Sequence, residues 1–246
     1  MILEIDCGNS LIKWRLFDAD ASLVGKFGAA ADEAELREQL LADELMLGIK
    51  RIRLVSVRSR AETNRLVDML KVQFSIIPEI AQPARFLAGV ENGYKDYGKL
   101  GADRWLAVVA AYSMKAEACL VLDIGTAITA DYVEAGGQHL GGYICPGLTL
   151  MHRQLSEHTG RISYVPGLVA ECAGPPQTTS SAIECGCLLM LEGFIRTQLT
   201  LAGKHFGGEF CTILTGGDAL LVAEFVPNAL VIPDLVFRGL AIACPD

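Results

Sequence analysis

Residues 3–18 read LEIDCGNSLIKWRLFD, and residues 120–135 read LVLDIGTAITADYVEA. Each is an apolar run that ends in Asp-x-Gly, passes a small polar residue and enters a second strand-like run. With Asp6 set on Asp123 the registers agree: Gly8 falls on Gly125 and Asn9 on Thr126. The separation is far longer than the roughly 20–50 residues of a solenoid repeat. It suits an α/β chain built as two related halves, residues 1–114 and 115–246.

Working outward from the first copy, Ile12, Trp14 and Leu16 alternate with Lys13 and Arg15, the period of a half-buried strand. Residues 31–47 begin with acids and carry Leu36, Leu40, Leu41 and Leu47 on roughly one face, which predicts a helix. Ile52–Val57 reads as a strand, Arg60–Val72 as a helix and Phe74–Ile77 as a further short strand. A turn-rich stretch over 82–100 leads into an apolar helix, DRWLAVVAAYSM. Around the second copy a hairpin is expected at 135–137, with a return strand into a GGYICPG loop over 141–147. Helices follow over 148–158 and 181–202. Next come a strand, a Gly-Gly turn and a helix over 209–225, then a strand and a last helix over 230–243. No low-complexity linker separates the halves, which are expected to enclose a shared cleft.

The chain has 246 residues, 51% hydrophobic and 20% charged, enough for a substantial core. A net charge of −8 argues against a surface that neutralises a phosphate backbone. The basic run Lys50–Arg60 has an apolar centre and reads as a buried strand with solvated ends. No stretch reaches the length of a membrane span. Glu4 and Asp6 stand where a signal peptide would be cationic and then apolar, so a cytoplasmic protein is expected. The eight cysteines are scattered among apolar neighbours, as free core thiols are.

Asp-x-Gly at a strand end also makes ordinary hairpins; two copies in matching register favour a functional turn. Glycine lets the backbone approach a ligand, and the N–H groups of such a turn form an anion nest. Asn9, Ser10 and Thr126 would add side-chain hydrogen bonds. A carboxylate beside a phosphate makes sense when a cation lies between them, as Mg²⁺ does when shared by a carboxylate and substrate phosphates. Lys13 could then reach a terminal phosphate. TILTGGDA, 212–219, is a third glycine turn whose backbone could lie against a nucleotide.

Two Asp-x-Gly hairpins in related halves, with a later strand–Gly-Gly–helix, resemble the actin, hexokinase and Hsp70 ATPase superfamily, with its actin-like (ribonuclease H-like) halves around a nucleotide cleft. Within it, DCGNSLIKW, LGADRW, LDIGTAITAD, GGYICPGL and TGGD, in that order, resemble type III pantothenate kinase. The resemblance implies ATP-dependent phosphorylation of pantothenate to 4′-phosphopantothenate, toward coenzyme A. It implies an ATP-binding first loop of Asp6, Cys7, Gly8, Asn9, Ser10, Leu11, Ile12 and Lys13, with Asp6 near Mg²⁺, and Thr126 in a second phosphate loop. Asp123 matches the position that binds a monovalent cation, K⁺ or NH₄⁺. Gly101, Ala102, Asp103 and Arg104 would line the pantothenate pocket, with Asp103 as catalytic base and Tyr94 and Thr179 as further contacts. It also implies a homodimer with substrate pockets near the interface.

Departures from the family pattern are Ser10 in place of threonine and Tyr97 in place of proline. Thr178 adjoins Thr179, and the spacing to Gly186 favours Thr179. Asp103 and Arg104 sit where loop becomes helix, where the helix dipole favours an ionised carboxylate. There Asp103 could orient a hydroxyl for in-line transfer, and Arg104 could hold a carboxylate by its fork. On position alone they are also an N-terminal acid and a solvated arginine. ECGCLLMLE, 184–192, resembles a sugar-kinase zinc motif; Cys185 and Cys187, with Cys172 nearby, fall short of four ligands, and buried helix thiols are the plainer reading. The rivals are a kinase or phosphatase of the superfamily acting on another small substrate, and an accessory protein that binds nucleotide without turnover.

Overall fold

The computed structural model describes residues 1–18, 23–42, 48–158, 172 and 174–245. They divide into two compact units, one drawn from Met1–Met114, Gly137–His139 and Asp234–Asp246, the other from Lys115–Gly136 and Leu140–Pro233.

The first unit is built on a sheet of β1 (Ile2–Cys7), β2 (Ile12–Asp18), β3 (Leu23–Ala30), β4 (Arg51–Ser56) and β5 (Glu79–Ile80), in the order β3-β2-β1-β4-β5. β1 runs antiparallel to β2 and parallel to β4. The strand period sends Leu3, Ile5 and Cys7 to one face, where they meet Ile12, Trp14 and Leu16 of β2. Leu36 and Leu40 of α1 (Glu33–Leu41) and Leu66 and Leu70 of α2 (Arg60–Phe74) complete that core. α1 ends at Leu41, which is exposed, so the leucine face of the sequence pattern stops at Leu40. Leu47 lies outside the described residues.

The opposite face of the same strands is charged. The register sets Glu4 across from Arg15 and Asp6 across from Lys13. Glu4 is fully buried and takes Arg15 and, at 2.9 Å, Arg53 of β4. Arg15 also reaches Asp234 at 3.0 Å and lies over the Phe237 ring. Asp234 precedes α7 (Leu235–Ala243), which packs on β1 and β4 and approaches α3 (Ala102–Lys115) so closely that a side chain on Gly239 would run into the Leu106 backbone. Removing one member of such a buried set strands the others without a counter-charge.

A capping box, Ser59 with Glu62, opens α2, and Ser75 at φ 56° closes it. The strand expected at Phe74–Ile77 therefore does not form: Phe74 is still helical, Ile77 is exposed, and β5 begins at Glu79. Within the turn-rich stretch a small hairpin appears, β6 (Phe86–Leu87) with β7 (Val90–Glu91).

The second unit holds β8 (Cys119–Ile124), β9 (Ala127–Val133), β10 (His139–Pro146), β11 (Cys211–Thr215) and β12 (Leu230–Val231), ordered β10-β9-β8-β11-β12. This is the strand order of the first sheet, with β8 antiparallel to β9 and parallel to β11. The chain is thus an α/β protein of two related actin-like halves. Leu120, Leu122, Ile128 and Tyr132 face a core closed by Leu191 and Ile195 of α5 (Thr179–Phe206). The Tyr132 hydroxyl donates to Gln198 Oε1 at 2.6 Å, and burial pushes its pKa up to about 12. The expected GGYICPG loop is mostly strand, since β10 runs to Pro146 before α4 (Leu148–His158) begins.

Candidate active site

The first loop forms because β1 and β2 are joined by a turn of four residues, Gly8–Leu11, between the paired Cys7 and Ile12. Gly8 N–H donates to Leu11 O at 3.1 Å, and a side chain at Gly8 would press on that same carbonyl. Asn9, Ser10 and Leu11 are exposed at the tip, while Asp6 and Lys13 are half-buried at its mouth. Asp6 and Lys13 share the charged face of the hairpin, one step beyond Glu4 and Arg15. The inner pair is locked in the interior, and the outer pair opens at the strand end.

Arg58, one of the residues read as a solvated end of the basic run, braces this turn. Its Nε donates to Gly8 O at 2.8 Å, from the chain just beyond β4. Cys7 is buried, which pushes its thiol upward; the Arg58 charge and the Ser56 hydroxyl offset this only in part. It therefore contributes its backbone and packing rather than a thiolate.

The GADR segment opens α3. Trp105 N–H donates to Gly101 O at 2.9 Å, closing the first turn. Asp103 Oδ1 accepts the Arg104 N–H at 2.7 Å and lies 2.7 Å from where a Gly101 side chain would stand. Glycine is therefore required at 101 for this carboxylate orientation. Arg104 is buried rather than solvated; its Nη1 donates to the Tyr94 hydroxyl at 2.9 Å. Tyr94 is held in turn by its own N–H, which donates to Asn92 Oδ1 at 3.0 Å. Tyr97 does not interrupt the loop: residues 97–99 form a 3₁₀ turn, capped by Asp96 accepting from Gly98 N–H.

In the second unit the matching hairpin is tighter, with three residues, Gly125–Ala127, between the paired Ile124 and Ile128. Asp123 stands across from Thr129, so no lysine faces this aspartate. Gly147 N–H donates to Thr126 O at 2.9 Å, and a side chain at Gly147 would strike Gly125 O. The Gly-Gly turn between β11 and α6 (Ala219–Val222) lies against the same place. Gly216 has φ +94°, and a side chain there would collide with Ile124 O and Asp123 Oδ1. Asp218 N–H donates to Ile124 O at 2.9 Å. Asp123, Thr126, Gly147 and Gly216 are thus gathered at one strand end.

Thr178 and Thr179 take different places at the start of α5. Thr178 is the N-cap, accepting from Ser181 N–H at 3.2 Å. Thr179 is the first helical residue and is exposed. Asp6, Lys13, Tyr94 and residues 101–104 therefore belong to the first unit, and Asp123, Thr126 and Thr179 to the second.

Cys185 is not a free thiol. It is joined to Cys172, which removes two of the three sulfurs that the motif could have offered to zinc. Among the described residues no group of three or more His, Cys, Asp and Glu side chains could hold a metal, and no helix is long and apolar enough to cross a membrane.

Residues 2–200 match the family model described as type III pantothenate kinase. A type III pantothenate kinase of Pseudomonas fluorescens (strain SBW25) is 50% identical over 248 residues, covering 100% of this chain and 99% of that protein. That of Pseudomonas aeruginosa (strain LESB58) is 51% identical with the same coverage. Among solved structures, a Campylobacter jejuni protein assigned to the Baf family of transcriptional activators superposes with TM-score 0.63 at 23% identity, over 98% of this chain and 96% of that one. An acetate kinase of Porphyromonas gingivalis superposes with TM-score 0.52 at 12% identity, over 99% and 98%. These two structural likenesses concern the fold.

Proposed function

The chain belongs to the type III pantothenate kinase family, and from that premise we propose that it transfers the γ-phosphoryl group of ATP to the primary hydroxyl of pantothenate. The observation that carries this reading is the near-50% identity to pantothenate kinases over the whole chain. The GADR segment supplies chemistry of the required kind. Asp103, oriented by the Arg104 N–H, holds the substrate hydroxyl in line and takes its proton as the phosphoryl group leaves ATP. Arg104 has five donors in a planar fork, and one of them orders Tyr94. Its guanidinium binds the pantothenate carboxylate, with Tyr94 and Thr179 as further contacts.

The first loop binds phosphate oxygens through the N–H groups of its exposed tip and through Lys13. Asp6 is a single half-buried carboxylate at a strand end, a donor set that fits Mg²⁺ shared with substrate phosphates rather than enclosed by protein. When bound, the ion neutralises phosphate charge. Asp123, beside the backbone of the Gly125 and Gly216 turns, fits a monovalent cation, K⁺ or NH₄⁺, and Thr126 binds phosphate from the same turn. The protein acts as a homodimer in the cytoplasm on this reading.

The test is ADP release from Mg-ATP, with and without pantothenate, in K⁺ and in Na⁺ buffer. Pantothenate-dependent release that needs K⁺ is expected. Release indifferent to pantothenate would replace the substrate, and equal rates in the two buffers would remove the cation from Asp123.

A further inference from the structure

We propose that His139 is a positioning residue for pantothenate, setting the Tyr94 ring against Arg104. The inference rests on the pantothenate-kinase reading of the Tyr94–Arg104 pair and adds a residue that the sequence motifs did not single out for the site.

His139 is fully buried and belongs to the first compact unit, although it opens β10. Its ring is nearly parallel to that of Tyr94, at 10°, with centroids 6.2 Å apart. Its Nδ1 accepts the Gly93 N–H at 3.5 Å, so the loop is touched by the same ring through both side chain and backbone. Arg104 holds the other end of Tyr94, at the hydroxyl, with its guanidinium carbon 5.8 Å from the ring centroid. A tyrosine on a loop whose residues 95–99 are exposed would otherwise sample several rotamers. Here one partner fixes the plane of the ring and another fixes its tip.

The histidine is itself anchored. Glu91 N–H donates to Gly137 O at 2.9 Å, and Glu91 and Gln138 form a parallel bridge. Gly137 has φ +84°, and a side chain there would collide with Gly89 O. The segment 137–139 is therefore fastened along β7, which leaves His139 little freedom to follow a displaced Tyr94. Asn92 fixes the start of the loop from the other side, its N–H donating to Arg85 O at 2.9 Å and its Nδ2 to Ala84 O at 3.3 Å.

Two variants of the full-length protein separate this role from general packing. His139→Leu keeps apolar volume and removes both the ring and the acceptor; His139→Phe restores the ring alone. For His139→Leu the KM for pantothenate is expected to rise roughly 2- to 12-fold, the range an aromatic pair is worth. The KM for ATP should stay unchanged, and His139→Phe should recover most of the loss. Amide hydrogen exchange over residues 92–98 should quicken in His139→Leu. His139→Asn keeps an acceptor for Gly93 and lacks the ring, and takes the same measurements if the leucine variant does not fold. An unchanged KM for pantothenate, equal rises in both KM values, or unchanged exchange at 92–98 would overturn the proposal. If the wild-type protein does not turn over pantothenate, the substrate reading fails by itself, and exchange at 92–98 still decides whether His139 holds Tyr94.

Discussion

Asp103 shows how one side chain is prepared by its neighbours. It lies in the first turn of α3, where the helix dipole favours the anion, and its orientation is set by a backbone N–H. Asp103→Asn retains an oxygen for that N–H, so the fold should survive while the rate falls by roughly 10²–10⁴, the range of a general base. Steady-state kinetics beside a thermal melt would check this, and near-normal turnover would remove Asp103 from the role. The two threonines at α5 separate in a similar way. Thr178→Ala deletes a cap and should cost about 1 kcal/mol of stability with little change in pantothenate KM. Thr179→Ala should leave the melt unaltered and raise that KM severalfold; the reverse pattern would exchange their assignments. Both aspartate turns were legible from residue type and spacing, whereas the roles given to the GADR residues came from the family resemblance, since position alone also reads Asp103 and Arg104 as an N-terminal acid and a solvated arginine. Arg58 was not legible, because it acts on the carbonyl of Gly8, and no side-chain pattern encodes a bond to a main-chain oxygen.

At the scale of elements, turns decide what each strand end can hold. The two hairpins share Asp-x-Gly, but the first is one residue longer and faces its aspartate with Lys13, whereas Asp123 faces Thr129. On the proposed function, that difference suits a phosphate-contacting lysine on one side and a bound ion on the other. The Gly-Gly turn gives a sharp contrast within two residues. Gly216 sits at positive φ against Ile124 O and Asp123, while Gly217 has no neighbour near where a side chain would be. Gly216→Ala should therefore destabilise by roughly 1–3 kcal/mol from backbone strain alone and weaken nucleotide binding, with Gly217→Ala near wild type. Equal melts and equal nucleotide affinity would show that the turn can relax. The Cys172–Cys185 bridge spans 13 residues ahead of and into α5. Denatured, non-reduced protein should offer six thiols for alkylation, of eight cysteines in the chain. Reduction should then lower stability by about 3 kcal/mol, the value for a loop of this size. Eight reactive thiols before reduction would exclude the bridge. Spacing could not foresee it, since a buried helix thiol and a bridged one have the same sequence neighbours.

Over the whole molecule, the repeat that opens each half predicts the repeat that the sheets display, β3-β2-β1-β4-β5 and β10-β9-β8-β11-β12. Strand periodicity was enough to expose it, because a one-residue slip would turn every core side chain outward. The return of α7 to the first sheet was hidden, since its apolar face fits a core without saying which one. What commits it is specific: Asp234 meets Arg15, Phe237 lies under that guanidinium, and Gly239 lets the helix approach the Leu106 backbone. The last of these makes the packing testable. Gly239→Leu would set a branched side chain against main-chain atoms that cannot rotate away, so α7 must lift from β1, β4 and α3. Overpacking of this kind costs about 1–3 kcal/mol, and the lifted helix would also admit water to Glu4, Arg15 and Arg53. The melting temperature should fall, with faster hydrogen exchange in β1, β4 and α3 before β8 and β11 respond. An unaltered melt, or exchange that rises equally in both sheets, would mean that α7 is not what closes the charged face of the first one.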